Sequence, residues 1–117
     1  MSSNRPTIEH AQVLTVVVIG GPDALVEAAR RAASLVTNAG LITAEVATAA
    51  TKVARARPFA IILSDELYCF DAAEFDALAR DVQASLIALP ADGANVRTLQ
   101  QRLTPLVMDA YREHFRG

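Results

Sequence analysis

The segment Arg57-Pro58-Phe59-Ala60-Ile61-Ile62-Leu63-Ser64-Asp65-Glu66 decides the fold of this chain. Its apolar part, residues 59–64, has the composition of a strand that is buried on both faces of a sheet. The strand ends abruptly in a hydroxyl group, Ser64, and two carboxylates, Asp65 and Glu66. In an open parallel sheet, ligands bind outside the carboxyl ends of the strands. A functional site is therefore expected beside Ser64.

The composition indicates one folded domain and excludes several classes of function. The chain has 117 residues, of which 52% are apolar, so it is long enough for one core and too short for two. Its net charge is −2, from 11 Lys and Arg against 13 Asp and Glu. That balance gives no basic surface for nucleic acid or anionic membrane. The longest apolar run, residues 13–19, is far below the roughly 20 residues that a membrane span needs.

Cysteine and histidine are too sparse for a disulfide framework or a structural zinc site. Cys69 is the single cysteine, and the two histidines, His10 and His114, are far apart in the sequence. The first residues lack the apolar core of a signal peptide. We therefore expect a cytoplasmic protein without a metal or cofactor.

Hydrophobic periodicity predicts alternating strands and helices. Strands are predicted at residues 13–19, 41–47, 59–64 and 84–89, and helices at 22–38, 48–57, from Asp71 onward, and at 95–116. Residues 1–11 are predicted to be a flexible tail, residues 65–69 a loop, and residues 12–117 a single domain. Parallel strands need helical crossovers of right-handed sense. The result is a three-layer α/β sandwich, flavodoxin-like, whose mostly parallel sheet of about four strands has the order 2-1-3-4 and is followed by a long C-terminal helix.

Two helices carry specific local signals. Asp71 followed by Glu74 predicts a capping box, and Phe70 with Phe75 predicts a hydrophobic staple at the same helix start. Pro105 lies inside the last predicted helix and is expected to kink or split it.

In this order the elements resemble the receiver domain of bacterial two-component response regulators, over residues 12–93. The resemblance rests on the spacing of the elements, on Gly40 before the second strand, and on the run from Ala54 to Leu63 that leads through Arg57-Pro58 into the third strand. It implies a role in bacterial signal transduction.

The residues that carry receiver chemistry are mostly missing. A receiver needs an acidic pair after its first strand to hold Mg²⁺, but Gly20 and Gly21 stand there. The phosphoacceptor position, counted from Pro58, is Ser64, and Asp65 comes one residue late, where a strand side chain points to the opposite face. The only lysine, Lys52, is on the second predicted helix. The sequence thus favours a non-catalytic pseudo-receiver, with phosphorylation of Asp65 as an alternative.

A second alternative is a small-ligand or nucleotide sensor. Gly20 and Gly21 precede a helix whose first turn contains Asp23, and we expect the crevice beside them to include Glu66. Pro22 removes one amide that a phosphate would use, so a tight turn is the simpler interpretation.

The last helix predicts a surface for a protein partner. At residues 95–116 it would be about 30 Å long, against about 20 Å for the sheet. Its far end carries an apolar stripe that we expect to be exposed and to contact a partner: Leu106, Val107, Met108, Tyr111 and Phe115. Tyr68, which follows the third strand, is expected to belong to the same interface. The absence of a fifth strand leaves residues 85–89 as an apolar edge. A homodimer would cover both, and the alternative is that the helix folds back onto its own domain.

Overall fold

The computed structural model describes residues 14–116, so the predicted tail at residues 1–11 lies outside the described residues. The four strands form one parallel sheet in the order β2-β1-β3-β4. Their bounds are β1 Thr15–Ile19, β2 Gly40–Ala44, β3 Ala60–Ser64 and β4 Ser85–Leu89. The α/β class and the strand order predicted from the sequence are confirmed.

Within residues 14–116, five α-helices connect or follow these strands. They are α1 Asp23–Thr37, α2 Ala49–Ala56, α3 Asp65–Phe70, α4 Ala72–Val82 and α5 Val96–Arg116. A single 3-10 turn, Val46–Thr48, precedes α2. The second strand thus ends at Ala44 and not at residue 47 as predicted.

The sheet separates two apolar cores, one on each face. Alternate residues of β1 belong to different cores, Val16 and Val18 to one and Val17 and Ile19 to the other. Buried residues of α1 and α5 complete the first core, and those of α2 and α4 complete the second. This alternation is the period of two that a strand imposes, and it produces the predicted three layers.

The third strand is the centre of the molecule. All five residues of β3 are buried, and the strand pairs with β1 on one side and β4 on the other. Phe59, just before it, is 1% exposed and meets the ring of Tyr111 edge-to-face at a centroid distance of 5.9 Å. That contact holds the C-terminal half of α5 against the amino end of β3. At Tyr111 the helix therefore still packs on its own domain and does not extend beyond the sheet.

The predicted loop at residues 65–69 is wrong, because these residues form α3. The cause is local, since the Ser64 side chain caps the new helix and satisfies one of its first amides. Acidic side chains at Asp65 and Glu66 also suit the positive end of a helix.

The predicted capping box and staple at the start of α4 are also wrong. Asp71 is the residue before α4, but its side chain makes no capping hydrogen bond. Phe70 is 85% exposed, so no buried contact with Phe75 forms. Because α3 ends at Phe70, Asp71 has to turn the chain between two helices, and its backbone is not in the usual cap conformation.

The last helix is not split at Pro105. It runs without interruption from Val96 to Arg116. Proline removes the hydrogen bond that the Gln101 carbonyl would accept, but Gln101 is an exposed residue, where water can replace the bond. One turn away, the Thr104 hydroxyl donates to the Gln100 carbonyl at 2.8 Å.

Helix α1 meets α5 through alanine side chains. Ala28, Ala29, Ala32 and Ala33 are all fully buried, opposite the larger Leu99, Leu103 and Val107 of α5 in the same core. Small side chains on one helix allow the other to approach closely, so this contact has no room for additional volume.

We predict that Ala32→Leu lowers the free energy of unfolding by about 1–3 kcal/mol, because the added atoms overpack the α1–α5 contact. Urea denaturation followed by circular dichroism measures the change. Ser34→Leu adds the same side chain at an exposed position of α1 and should change stability by less than about 0.5 kcal/mol. Equal losses in the two variants would contradict the packing.

Candidate functional site

At the carboxyl end of β3, the hydroxyl group of Ser64 has a structural role. Ser64 is 7% exposed, and its Oγ accepts a hydrogen bond from the Leu67 amide at 3.2 Å. This makes Ser64 the N-cap of α3. The residue at the receiver acceptor position therefore has its oxygen engaged within its own turn.

Leu67 fills the space beside the end of β1. A Cβ atom built at Gly20 would lie 3.1 Å from Leu67 Cδ2, which is tighter than ordinary van der Waals contact. Gly20 also has φ +61°, a left-handed conformation in which any side chain is strained. The position where the receiver pattern needs an acidic residue is thus closed by an aliphatic side chain and by the backbone conformation.

The two carboxylates after β3 lie in the first turn of α3. Asp65 is half-buried and Glu66 is exposed. Among residues 14–116, no cluster of three or more His, Cys, Asp or Glu side chains could hold a metal ion. The sequence interpretation of Asp65 as a phosphoacceptor therefore gains no metal-binding cluster from the described part of the fold.

The predicted crevice at Gly20 and Gly21 exists as an open cleft of about 600 Å³. Asp23 lines it, but the described lining does not include Glu66. The fold instead adds Glu45 and Lys52, which the sequence interpretation did not place there. Two carboxylates oppose a single ammonium group, an unfavourable lining for a phosphate.

Tyr68 is tied to the neighbouring helix. Its hydroxyl donates to both carboxylate oxygens of Asp76, at 2.9 and 3.1 Å. The hydrogen bond to Asp76 raises the pKa of Tyr68, since the anionic carboxylate stabilises the protonated phenol. Tyr68 thus links α3 to α4, and its hydroxyl already has a partner within the chain.

The apolar stripe on α5 is only partly exposed. Val107 is fully buried in the core shared with α1, so its prediction as an interface residue is wrong. Tyr111 and Met108 are half-buried, whereas Leu106 is 40% and Phe115 63% exposed. The stripe points partly inward because α5 lies along β3 and β4.

The outer edge of β4 carries unpaired backbone groups. The Ser85 amide donates to the Phe59 carbonyl at 3.0 Å, so Ser85 directs its backbone towards β3. Successive residues of a strand direct their backbone groups to opposite sides, so the amides and carbonyls of Leu86 and Ala88 point away from the sheet. No strand within residues 14–116 pairs with this edge.

The opposite edge of the sheet is protected. The Gly40 amide donates inward to the Leu14 carbonyl at 2.9 Å, so Thr43, at odd spacing, faces outward. Lys52 Nζ donates to the outward Thr43 carbonyl at 3.0 Å. A lysine over an edge strand discourages pairing with another chain. The sequence interpretation treated Lys52 only as a missing catalytic group and overlooked this role.

Comparisons of the chain with protein-family models, curated proteins and solved structures find no match. Within residues 14–116, none of the helices combines the length and apolarity that crossing a bilayer requires.

We predict that Ser64→Ala lowers the free energy of unfolding by about 0.5–2 kcal/mol, because it removes the cap of α3. Chemical denaturation measures the loss, and faster hydrogen exchange of the Leu67 amide should accompany it. Thr48→Ala is the control, since Thr48 precedes α2 without making a side-chain cap bond. An unchanged Leu67 exchange rate in Ser64→Ala would contradict the capping role.

Proposed function

We propose that this chain is a non-catalytic, receiver-like signalling or scaffold module of a bacterial cytoplasm that acts by binding proteins and associates with a second copy of itself. The observation that carries the non-catalytic part is the position of Leu67 against Gly20. The observation that carries self-association is the open, uncharged edge of β4.

Phosphoryl transfer depends on groups that stabilise developing negative charge. At the carboxyl edge of this sheet, the corresponding space beside β1 holds a leucine methyl group. The Ser64 hydroxyl accepts a hydrogen bond in its own turn, and Lys52 is bonded to the carbonyl of an edge strand. These contacts favour binding over chemistry.

The two edges of the sheet differ in a way that favours pairing at β4. Residues 85–89, Ser-Leu-Ile-Ala-Leu, contain no charge and no proline, whereas the β2 edge is covered by Lys52. An uncharged edge strand with free amides and carbonyls is a template for another strand. A second copy is the simplest occupant, because two-fold dimers are the commonest closed assembly.

The geometry of β4 allows a self-complementary register centred on Ile87. An antiparallel pair centred on Ile87 places Leu86 of one protomer opposite Ala88 of its partner. These two residues direct their backbone groups outward, so each such pair would exchange two hydrogen bonds. A large side chain then faces a small one on each side of the axis, which avoids a clash across the strands.

Helix α5 extends the proposed contact beyond the strand. It packs on β3 and β4 on one face of the sheet, and its Leu106 and Phe115 side chains are exposed. Exposed apolar side chains of this kind favour contact with a protein partner, and a dimer that covers them would gain buried area.

We predict that the protein sediments as a dimer and that Ala88→Pro makes it monomeric. Proline removes the outward amide of Ala88 but costs the monomer no hydrogen bond, because that amide does not face β3. Sedimentation velocity measures the mass. Thr43→Pro removes the corresponding outward amide at the β2 edge and should leave the dimer intact.

A wild-type chain that is monomeric at the highest attainable concentration would overturn the self-association proposal. A dimer that Thr43→Pro disrupts and Ala88→Pro does not would assign the interface to the other edge.

We further predict that acetyl phosphate with Mg²⁺ adds no phosphoryl group to the chain, because residues 14–116 contain no cluster of three or more carboxylate, His or Cys side chains that could hold the metal. Intact-mass spectrometry measures the modification, with Asp65→Asn treated in parallel. A phosphoryl adduct on the wild type that is lost in Asp65→Asn would establish the phosphoacceptor alternative.

A further inference from the structure

A second cleft lies at the amino ends of β3 and β4, at the end of the sheet opposite the cleft beside Gly20 and Gly21. It has a volume of about 500 Å³ and is formed where α2 and α4 end and where the last turns of α5 pass. Its lining combines one apolar side chain with four polar ones: Arg57, Val82, Gln83, Glu113 and His114. Arg57 enters the receiver resemblance only as part of the run into β3, and the proposed dimer uses none of these five residues.

Two of these residues hold an uncommon backbone conformation. Within residues 14–116, the non-glycine residues with positive φ are Asn38 at 56°, Arg57 at 47° and Gln83 at 59°. Each of them ends a helix. Glycine, and less often asparagine, is the usual residue at such positions, because a longer side chain is strained there. Asn38 belongs to a residue type that tolerates the left-handed conformation, and it does not line the cleft. Arg57 and Gln83 belong to residue types for which this conformation is more strained, and both line the cleft.

Strained backbone conformations cluster at binding sites, where the side chain serves another purpose. Arg57, Gln83 and His114 supply N–H donors, and none of their side chains donates a hydrogen bond to another described residue. The single carboxylate of the lining, Glu113, is already paired with Arg116, whose Nη1 lies 3.3 Å from Glu113 Oε1. With respect to residues 14–116, the lining therefore presents N–H donors without a hydrogen-bond partner and one guanidinium without a paired carboxylate.

Three carbonyls of the helix ends that meet the cleft accept backbone hydrogen bonds. The Arg57 amide donates to the Val53 carbonyl at 2.8 Å at the end of α2. At the end of α4, the Gln83 amide donates to the Arg80 carbonyl at 3.1 Å, and the Ala84 amide to the Ala79 carbonyl at 2.9 Å. These bonds satisfy carbonyls that would otherwise favour a cation at the C-terminal end of a helix.

We propose that this cleft binds a carboxylate group carried on a body that is partly apolar. The Arg57 guanidinium has the forked geometry that matches a carboxylate with two parallel hydrogen bonds. The Gln83 amide is a further donor to the same group. Val82 and the His114 ring contact the rest of the ligand, and the ring is held in place by Phe59 and Phe115, at centroid distances of 6.1 and 5.0 Å.

The carboxylate can come from a small organic acid or from the end of a polypeptide. Benzoate is the probe for the first source, with the neutral benzamide as its matched control. N-acetyl-alanyl-alanine is the probe for the second, with its C-terminal amide as control. Chemical shifts of the Val82, Gln83 and His114 backbone amides, recorded at constant ionic strength, follow the titrations.

At least one carboxylate probe should bind saturably and at least tenfold more tightly than its neutral control. Arg57→Gly should weaken that binding at least tenfold while leaving the melting temperature unchanged or raised, because glycine relieves the left-handed strain. Asn38→Gly relieves the same strain outside the cleft and should leave the affinity unchanged. The tighter of the two probes identifies the source of the carboxylate.

Equal affinity for the carboxylate and its neutral control would overturn the proposal, as would Arg57→Gly with wild-type affinity. A fall in the melting temperature of Arg57→Gly would likewise contradict it, because the left-handed arginine would then contribute to the fold itself.

Discussion

Strand β3 is buried on both faces and paired along both edges, and the other features of the molecule depend on it. Such a strand has no free surface of its own, so it can act only through its two ends. At its amino end, Phe59 anchors the C-terminal half of α5 through Tyr111. At its carboxyl end, Ser64 begins α3, and the first turn of that helix brings Leu67 onto Gly20.

These two ends have different consequences for function. At the carboxyl end of β3, the space beside Gly20 is filled by Leu67, and the cleft that stays open at the carboxyl ends of β1 and β2 has an unfavourable lining for a phosphate. The amino end is open, because α2 and α4 stop at left-handed residues and leave a cleft beside α5. The fold thus fills the space beside Gly20 at the end of β3 and forms a second cleft at the amino end, while no strand within residues 14–116 pairs with the outer edge of β4.

Much of the fold could be predicted from the sequence, because continuous apolar strands alternate with amphipathic helices at short spacing. The errors arose where a local signal competed with tertiary structure. Asp71 and Glu74 match a capping box, but α3 ends directly before them and fixes the backbone of Asp71 in another conformation. Val107 lies on the apolar stripe of α5, yet whether such a stripe is buried depends on the neighbouring sheet. The cleft at Arg57 and Gln83 had no sequence signal, since neither residue type indicates a left-handed conformation.

The contact between Leu67 and Gly20 is the central claim about function, because it separates a binding module from a phosphoacceptor. A methyl-resolved nuclear Overhauser experiment in solution, without and with added Mg²⁺, measures it directly. We expect a strong cross-peak between a Leu67 methyl group and the Gly20 α-protons that Mg²⁺ leaves unchanged. The absence of that cross-peak, together with Mg²⁺-dependent shifts at Asp23 and Asp65, would contradict the account.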